Sequence, residues 1–132
     1  MAVAYFGKEA SKLLPLPARS RLVVDASEHA VKSGQTCPED LRAELSRGVL
    51  VYSVPNLHAK VYVLGRQAFI GSPNVSRTSA GQLIESLIAT KEAKVVADAR
   101  RFVRRLCLYR LSPELLKNLA KLYRPPKGGR LK

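Results

Sequence analysis

Short apolar runs alternate with amphipathic stretches along the first two thirds of the chain. Val3-Ala4-Tyr5-Phe6 is continuously apolar and predicts a buried strand that Gly7 ends. Lys8 to Leu14 predicts a short helix, stopped by Pro15 and Pro17. Arg21-Leu22-Val23-Val24-Asp25 predicts a second buried strand, and His29 to Lys32 a single helical turn before Gly34. Cys37-Pro38-Glu39-Asp40 has the character of a helix start. Its Pro lacks the N–H that has no partner there, and its acids face the positive end of the helix dipole. This helix runs to about Arg47, and Gly48 closes it. Val49 to Val54 is a third strand. Ala59 to Leu64 and Gln67 to Ile70 have hairpin spacing, with Gly65 supplying the positive φ of the turn. Leu83 to Thr90 predicts one more strand.

The period then changes from two to that of a helix. Between Lys91 and Arg110, Val95, Ala99, Phe102, Val103 and Leu106 fall on one helical face, and Arg100, Arg101, Arg104 and Arg105 on the other. Ser112-Pro113-Glu114 caps a last helix that reaches about Tyr123. Pro125 to Lys132 reads as a basic, disordered tail. The order of elements predicts an α/β fold: a mixed, mostly parallel sheet flanked by helices on both faces, in one domain over residues 1–124. Tyr5, Phe6 and Phe69 are expected in its core. A strand so close to Met1 is expected to be central, which also suits one half of a larger assembly.

Composition narrows the class. With 132 residues, 46% hydrophobic and 25% charged, the chain is in the globular range and large enough for a real core. No apolar run approaches a membrane span, and the N-terminal sequence is not expected to be a signal peptide. Cys37 and Cys107 stand far apart and predict reduced thiols, hence a cytoplasmic protein. Charge is the abnormal quantity. Lys and Arg number 23 against 10 Asp and Glu, for a net +13. Residues 1–90 carry only +3 of this, and residues 91–132 carry +10. A field of this kind favours a polyanionic partner.

The candidate chemistry lies in His58-Ala59-Lys60 and, after the hairpin, Gly71-Ser72-Pro73-Asn74. Side chains two apart share a face of a strand, so His58 and Lys60 point together. The returning strand brings Gly71 to Asn74 to the same end. A neutral His can act as nucleophile or proton carrier near neutral pH, Lys is a point charge for phosphate, and Ser and Asn supply hydrogen bonds. Together they suit attack on a phosphodiester with charge stabilisation at its oxygens. No His/Cys/Asp/Glu cluster has metal-ligand spacing, so neither metal nor cofactor is expected.

These residues resemble the signature of the phospholipase D superfamily: His-x-Lys, four residues, Asp, a short spacer, then Gly-Ser-x-Asn. His58, Lys60, Gly71, Ser72 and Asn74 match it, with a spacer about one residue short. The Asp slot holds Gly65, a departure that bears on rigidity and rate rather than on the nucleophile. The resemblance implies a phospholipase D-like half-domain. In it His58 forms a phosphohistidine, Lys60 and Asn74 hold the non-bridging oxygens, and Ser72 assists phosphate binding. Glu85, on the next strand, would orient His58. The second His of that mechanism must come from another copy of the motif. His29 has neither the Lys nor the Gly-Ser-x-Asn and reads as a surface residue, so the resemblance implies a homodimer with a shared site.

The superfamily acts on several phosphodiesters, and charge favours nucleic acid, DNA first, with Arg100, Arg101, Arg104 and Arg105 on its backbone. No base-reading module is visible, so sequence specificity is not expected. Two other readings stand beside this one: a phospholipase or phosphatidyl transferase on anionic lipid, and a catalytically weak nucleic-acid-binding module.

Overall fold

The computed structural model of the chain describes residues 1–75 and 84–127. Six strands form one sheet: β1 (Ala2–Val3), β2 (Arg21–Val24), β3 (Leu50–Ser53), β4 (Lys60–Leu64), β5 (Gln67–Gly71) and β6 (Leu87–Thr90), in the order β3-β2-β1-β4-β5-β6. The described helices are α1 (Ala10–Leu13), α2 (Glu28–Lys32), α3 (Pro38–Ser46), α4 (Ala93–Arg105) and α5 (Pro113–Ala120). The sheet is mixed, as the sequence predicts, but the balance differs. β1–β2 and β2–β3 are parallel, whereas β1–β4, β4–β5 and β5–β6 are antiparallel. The parallel half needs helical crossovers, which α1 and α3 provide. The two-residue turn at Gly65-Arg66 can only reverse the chain.

β1 is central, although its regular ladder is only two residues long. The chain beyond it stays tied to its neighbours. Asp25 donates its N–H to the Ala4 carbonyl, Phe6 bridges Val75 in parallel, and Gly7 N–H reaches the Val75 carbonyl. The run that reads as one strand is therefore paired first to β2 and then to the segment after β5.

Each face of the sheet is covered. Val3, Leu22, Val24, Val51 and Tyr62 pack under α1, α2, α3 and α5, where Leu41 and Leu116 are fully buried. On the opposite face, Val103 of α4 packs on Ala2 and Val23, and Val96 and Ala99 pack on Ala68. The buried stripe of α4 is thus Val96, Ala99 and Val103. It is rotated from the predicted stripe, so Phe102 is 39% exposed. Phe6 is fully buried, whereas Tyr5 and Phe69 are only half-buried. The last predicted strand is regular only from Leu87, and its predicted first residue, Leu83, lies outside the described residues. So do the last five residues of the basic tail.

Candidate active site

The carboxyl ends of the parallel strands β1, β2 and β3 meet the amino end of β4. This is the edge of an α/β sheet where ligands commonly bind. The loop that delivers His58 there is held from below. Asp25, at the end of β2, is 6% exposed and accepts N–H groups from Ser27 and from Asn56, which has a φ of 62°. Ala26 donates its N–H to Ser53 Oγ, and Val54 donates to the Val24 carbonyl. Leu57 is buried, so the next residue, His58, emerges at the surface from a fixed point.

His58 and Lys60 are in contact. The Lys60 ammonium lies 3.3 Å from His58 Nδ1 and 3.4 Å from Nε2, against the ring rather than in line with one lone pair. Tyr62 continues the alternation on that face. It is buried, and its hydroxyl donates to the Pro73 carbonyl at 2.5 Å, which holds the Gly71–Asn74 turn. Burial, and then the nearby Glu85 charge, push the Tyr62 phenol well above its usual range, so it stays a donor.

Pairing sums fix the row. Val3 pairs Lys60, Val61 pairs Ile70, and Gly71 pairs Leu87. Beyond the ladder the pairing changes, and Tyr5 and Phe6 lie beside Asn74 and Val75. Asn74 ties this turn to the chain after β1: its Oδ1 accepts the Tyr5 N–H at 3.1 Å. Ser72 N–H donates to the Ser86 carbonyl at 2.9 Å, and Ser86 N–H returns to Ser72 Oγ at 2.9 Å. Gly71 is a glycine for lack of room: a Cβ there would lie 2.1 Å from the Ser86 carbonyl oxygen.

Two sequence expectations look different in space. Glu85 is read from the sequence as the partner of His58, but its carboxylate accepts the Ser72 hydroxyl. No hydrogen bond joins Glu85 to His58 among the described residues. Glu85 precedes β6 beside Ser72, where the Ser72–Ser86 backbone exchange brings its carboxylate to the Ser72 hydroxyl. The four arginines of α4 are all exposed, away from its buried stripe, but their partners differ. Arg100 donates to the Gly65 carbonyl at 2.8 Å and lines a cavity with Arg104, whereas Arg101 pairs with Asp98 and Arg105 is exposed. Gly65 is seven residues along from His58, roughly 23 Å at the rise of a strand. Tyr62 and Asp25 are the residues that sequence reasoning missed. Tyr62 was readable as the next member of the His58, Lys60 alternation, and Asp25 as a carboxylate closing an apolar strand. Among the described residues, no three His, Cys, Asp or Glu side chains gather as a metal site.

In structure, 84% of this chain superposes on 78% of Nuc, a phospholipase D family member from Salmonella typhimurium, with a TM-score of 0.60 and 14% identity. The chain has the phospholipase D fold. NucT from Helicobacter pylori is similar to the same degree, with a TM-score of 0.59 and 13% identity over 84% of this chain and 79% of NucT. No family model matches the chain in sequence, and no curated protein does. Within the phospholipase D fold, this chain brings together an exposed imidazole, an ammonium beside it, and a hydroxyl and an amide on the adjoining turn. Such a set can hold an anionic tetrahedral group and supply one nucleophile to it.

Proposed function

We propose that the chain is a metal-independent phosphodiesterase of the phospholipase D superfamily that cleaves nucleic acid, DNA first, as a homodimer. The observation that carries this reading is the His58–Lys60 contact at the head of β4, beside a turn that offers Ser72 and Asn74. Neutral His58 attacks phosphorus through a ring nitrogen. The bond to the leaving oxygen breaks with its electron pair, and the imidazolium of His58 of the second copy protonates that oxygen. Water then attacks the phosphohistidine and gives its proton to that second, now neutral, imidazole. The P–N bond breaks, and its electrons return to His58. Lys60 and the Asn74 NH₂ stabilise the non-bridging oxygens. Glu85 accepts the Ser72 hydroxyl and so helps to fix the turn that carries Ser72 and Asn74.

A second copy is needed because the chain has one His-x-Lys. The edge beside the site suits it: β6 is an edge strand with Leu87 48% and Ile88 69% exposed, and Ile84 next to it fully exposed. An exposed apolar edge strand invites pairing. Net +13 supports a polyanionic nucleic acid over lipid.

The test is cleavage of a labelled DNA duplex at low salt in EDTA, comparing the native chain with His58→Ala. The native chain cuts and the variant does not. If both bind and neither cuts, the chain is a binding module. Turnover of anionic lipid vesicles in place of DNA assigns it to lipid. A chain that cuts as a monomer in sedimentation equilibrium refutes the shared site.

A further inference from the structure

At the opposite end of the sheet from His58 lies a cavity of about 420 Å³. Its walls are apolar, from Leu16, Val63, Leu64 and Val103. Arg19, Arg21, Arg100 and Arg104 line it too, and no carboxylate does. Arg19, Arg21 and Arg104 have no ion pair among the described residues, and Arg100 spends one N–H on the Gly65 carbonyl. Arg19 also has a positive φ, 67°, and its N–H is fixed on the Gly48 carbonyl at 2.8 Å. Four exposed arginines, two at the entry to β2 and two from α4, thus line one cavity without a counter-charge among the described residues. Such a one-sign lining attracts an anion.

We infer that this cavity is a binding site for a small organic phosphate of about nucleotide size, separate from the phosphodiesterase site. Guanidinium forks suit phosphate oxygens, and pockets of roughly 300–1,000 Å³ with apolar walls suit small ligands. The recessed apolar walls decide between ligand types. A duplex presents its phosphates on a convex surface and would touch only the arginine rim. A nucleotide places its phosphate on the arginines and its ring system against Leu16, Val63 and Val103. The site cannot share a phosphate with Lys60, because Lys60 opens β4 and Gly65 follows its last residue, five residues on and roughly 17 Å away. The inference does not depend on cleavage activity.

Gly65 offers a clean probe. It lines the cavity, nothing lies within 4 Å of a Cβ placed there, and its φ of 61° is one that Asp and Asn tolerate. Gly65→Asp places a carboxylate among the arginines, and Gly65→Asn is its neutral control. Isothermal titration of the full chain with 5′-AMP, ribose 5-phosphate and inorganic phosphate reads the site. AMP binds at least about tenfold more tightly than inorganic phosphate, ribose 5-phosphate falls between them, and raised salt weakens all three. Gly65→Asp weakens AMP by about tenfold or more, Gly65→Asn stays within about twofold, and His58→Ala leaves AMP binding unchanged. An Arg21→Gln/Arg104→Gln double variant, checked for folding by circular dichroism, loses binding as Gly65→Asp does. Equal affinity for AMP and inorganic phosphate overturns the organic ligand. Indifference to Gly65→Asp, or loss with His58→Ala, overturns the location. Displacement of AMP by a short duplex with the same arginine dependence assigns the cavity to nucleic acid and overturns the inference.

Discussion

Replacing Tyr62 by Phe removes one oxygen and leaves the ring. The Tyr62 hydroxyl donates to the Pro73 carbonyl at 2.5 Å, and the side chain is 8% exposed. A neutral hydrogen bond contributes about 0.5–1.5 kcal/mol net, and a carbonyl left desolvated raises the cost to about 1–3 kcal/mol. Pro73 is half-buried, so water reaches it in part, and the expected loss is about 1–2 kcal/mol. For a chain of this size, with an m value of roughly 2 kcal/mol/M, the urea midpoint falls by roughly 0.5–1 M. Activity falls as well, by a different route. The hydroxyl pins the turn that bears Ser72 and Asn74, so a loosened turn lowers kcat about tenfold or more while KM changes less. Urea denaturation followed by circular dichroism gives the first number, and duplex cleavage at saturating substrate gives the second. A variant with the native urea midpoint shows that this hydrogen bond contributes nothing. One that is destabilised yet keeps native kcat shows that Tyr62 supports the fold without positioning the turn.

Gly71→Ala forces a Cβ to within 2.1 Å of the Ser86 carbonyl oxygen and 2.8 Å of Leu87 Cα, both backbone. The strands must separate, at a cost of about 1–3 kcal/mol. Thermal melts register that loss, and a melt unchanged from wild type contradicts it. Alkaline stability follows from Tyr62 and Tyr123, whose phenols burial raises above the ordinary 10.0. In the unfolded chain they ionise near that pH, but in the folded chain they keep their protons. Stability is therefore full below about pH 10 and falls as pH rises beyond it. Urea midpoints measured from about pH 8 to 11 show the fall, Tyr62→Phe makes it shallower, and an equal slope in both proteins counts against the assignment. Ser112→Ala removes the oxygen that accepts the Leu115 N–H at 3.1 Å and costs about 1 kcal/mol. It lies away from His58, so cleavage at a temperature well below the melt is unchanged, and a loss of kcat there would contradict the placement of the site.

Most of the fold is legible in the sequence because its signals are local. Pro38 with Glu39 and Asp40 starts α3, Ser112 with Pro113 starts α5, and Gly65 makes the β4–β5 turn with a φ of 61°. The site is legible for a similar reason: His58 and Lys60 are two apart at the entry to β4, and the hairpin length sets which residues return beside them. What depends on contacts between distant segments is not legible. The parallel bridge of Phe6 to Val75 and the Tyr5 N–H on Asn74 are long-range events that no local pattern announces. The rotation of α4 that buries Val96 and exposes Phe102 is set by how the helix meets Ala68 and Val23, and the apolar spacing alone permits either stripe. Likewise, Glu85 is visible as an acid in an apolar run, but its partner depends on a backbone exchange between Ser72 and Ser86.

One strand, β4, relates the two charged ends of the molecule. At its amino end it emerges from a loop held by Asp25 and presents His58 and Lys60 to solvent. At its carboxyl end, Gly65 turns the chain and gives its carbonyl to Arg100. The resemblance to the phospholipase D signature expects an acid at that turn, which would meet the cavity's arginines and not the imidazole. The absence of that acid therefore leaves His58, Lys60, Ser72 and Asn74 as they are. It alters the charge of the far end instead, where four guanidinium groups surround a cavity with no carboxylate in its lining. The departure from the signature at Gly65 and the uncompensated arginines are thus one feature of this chain, located away from the proposed chemistry.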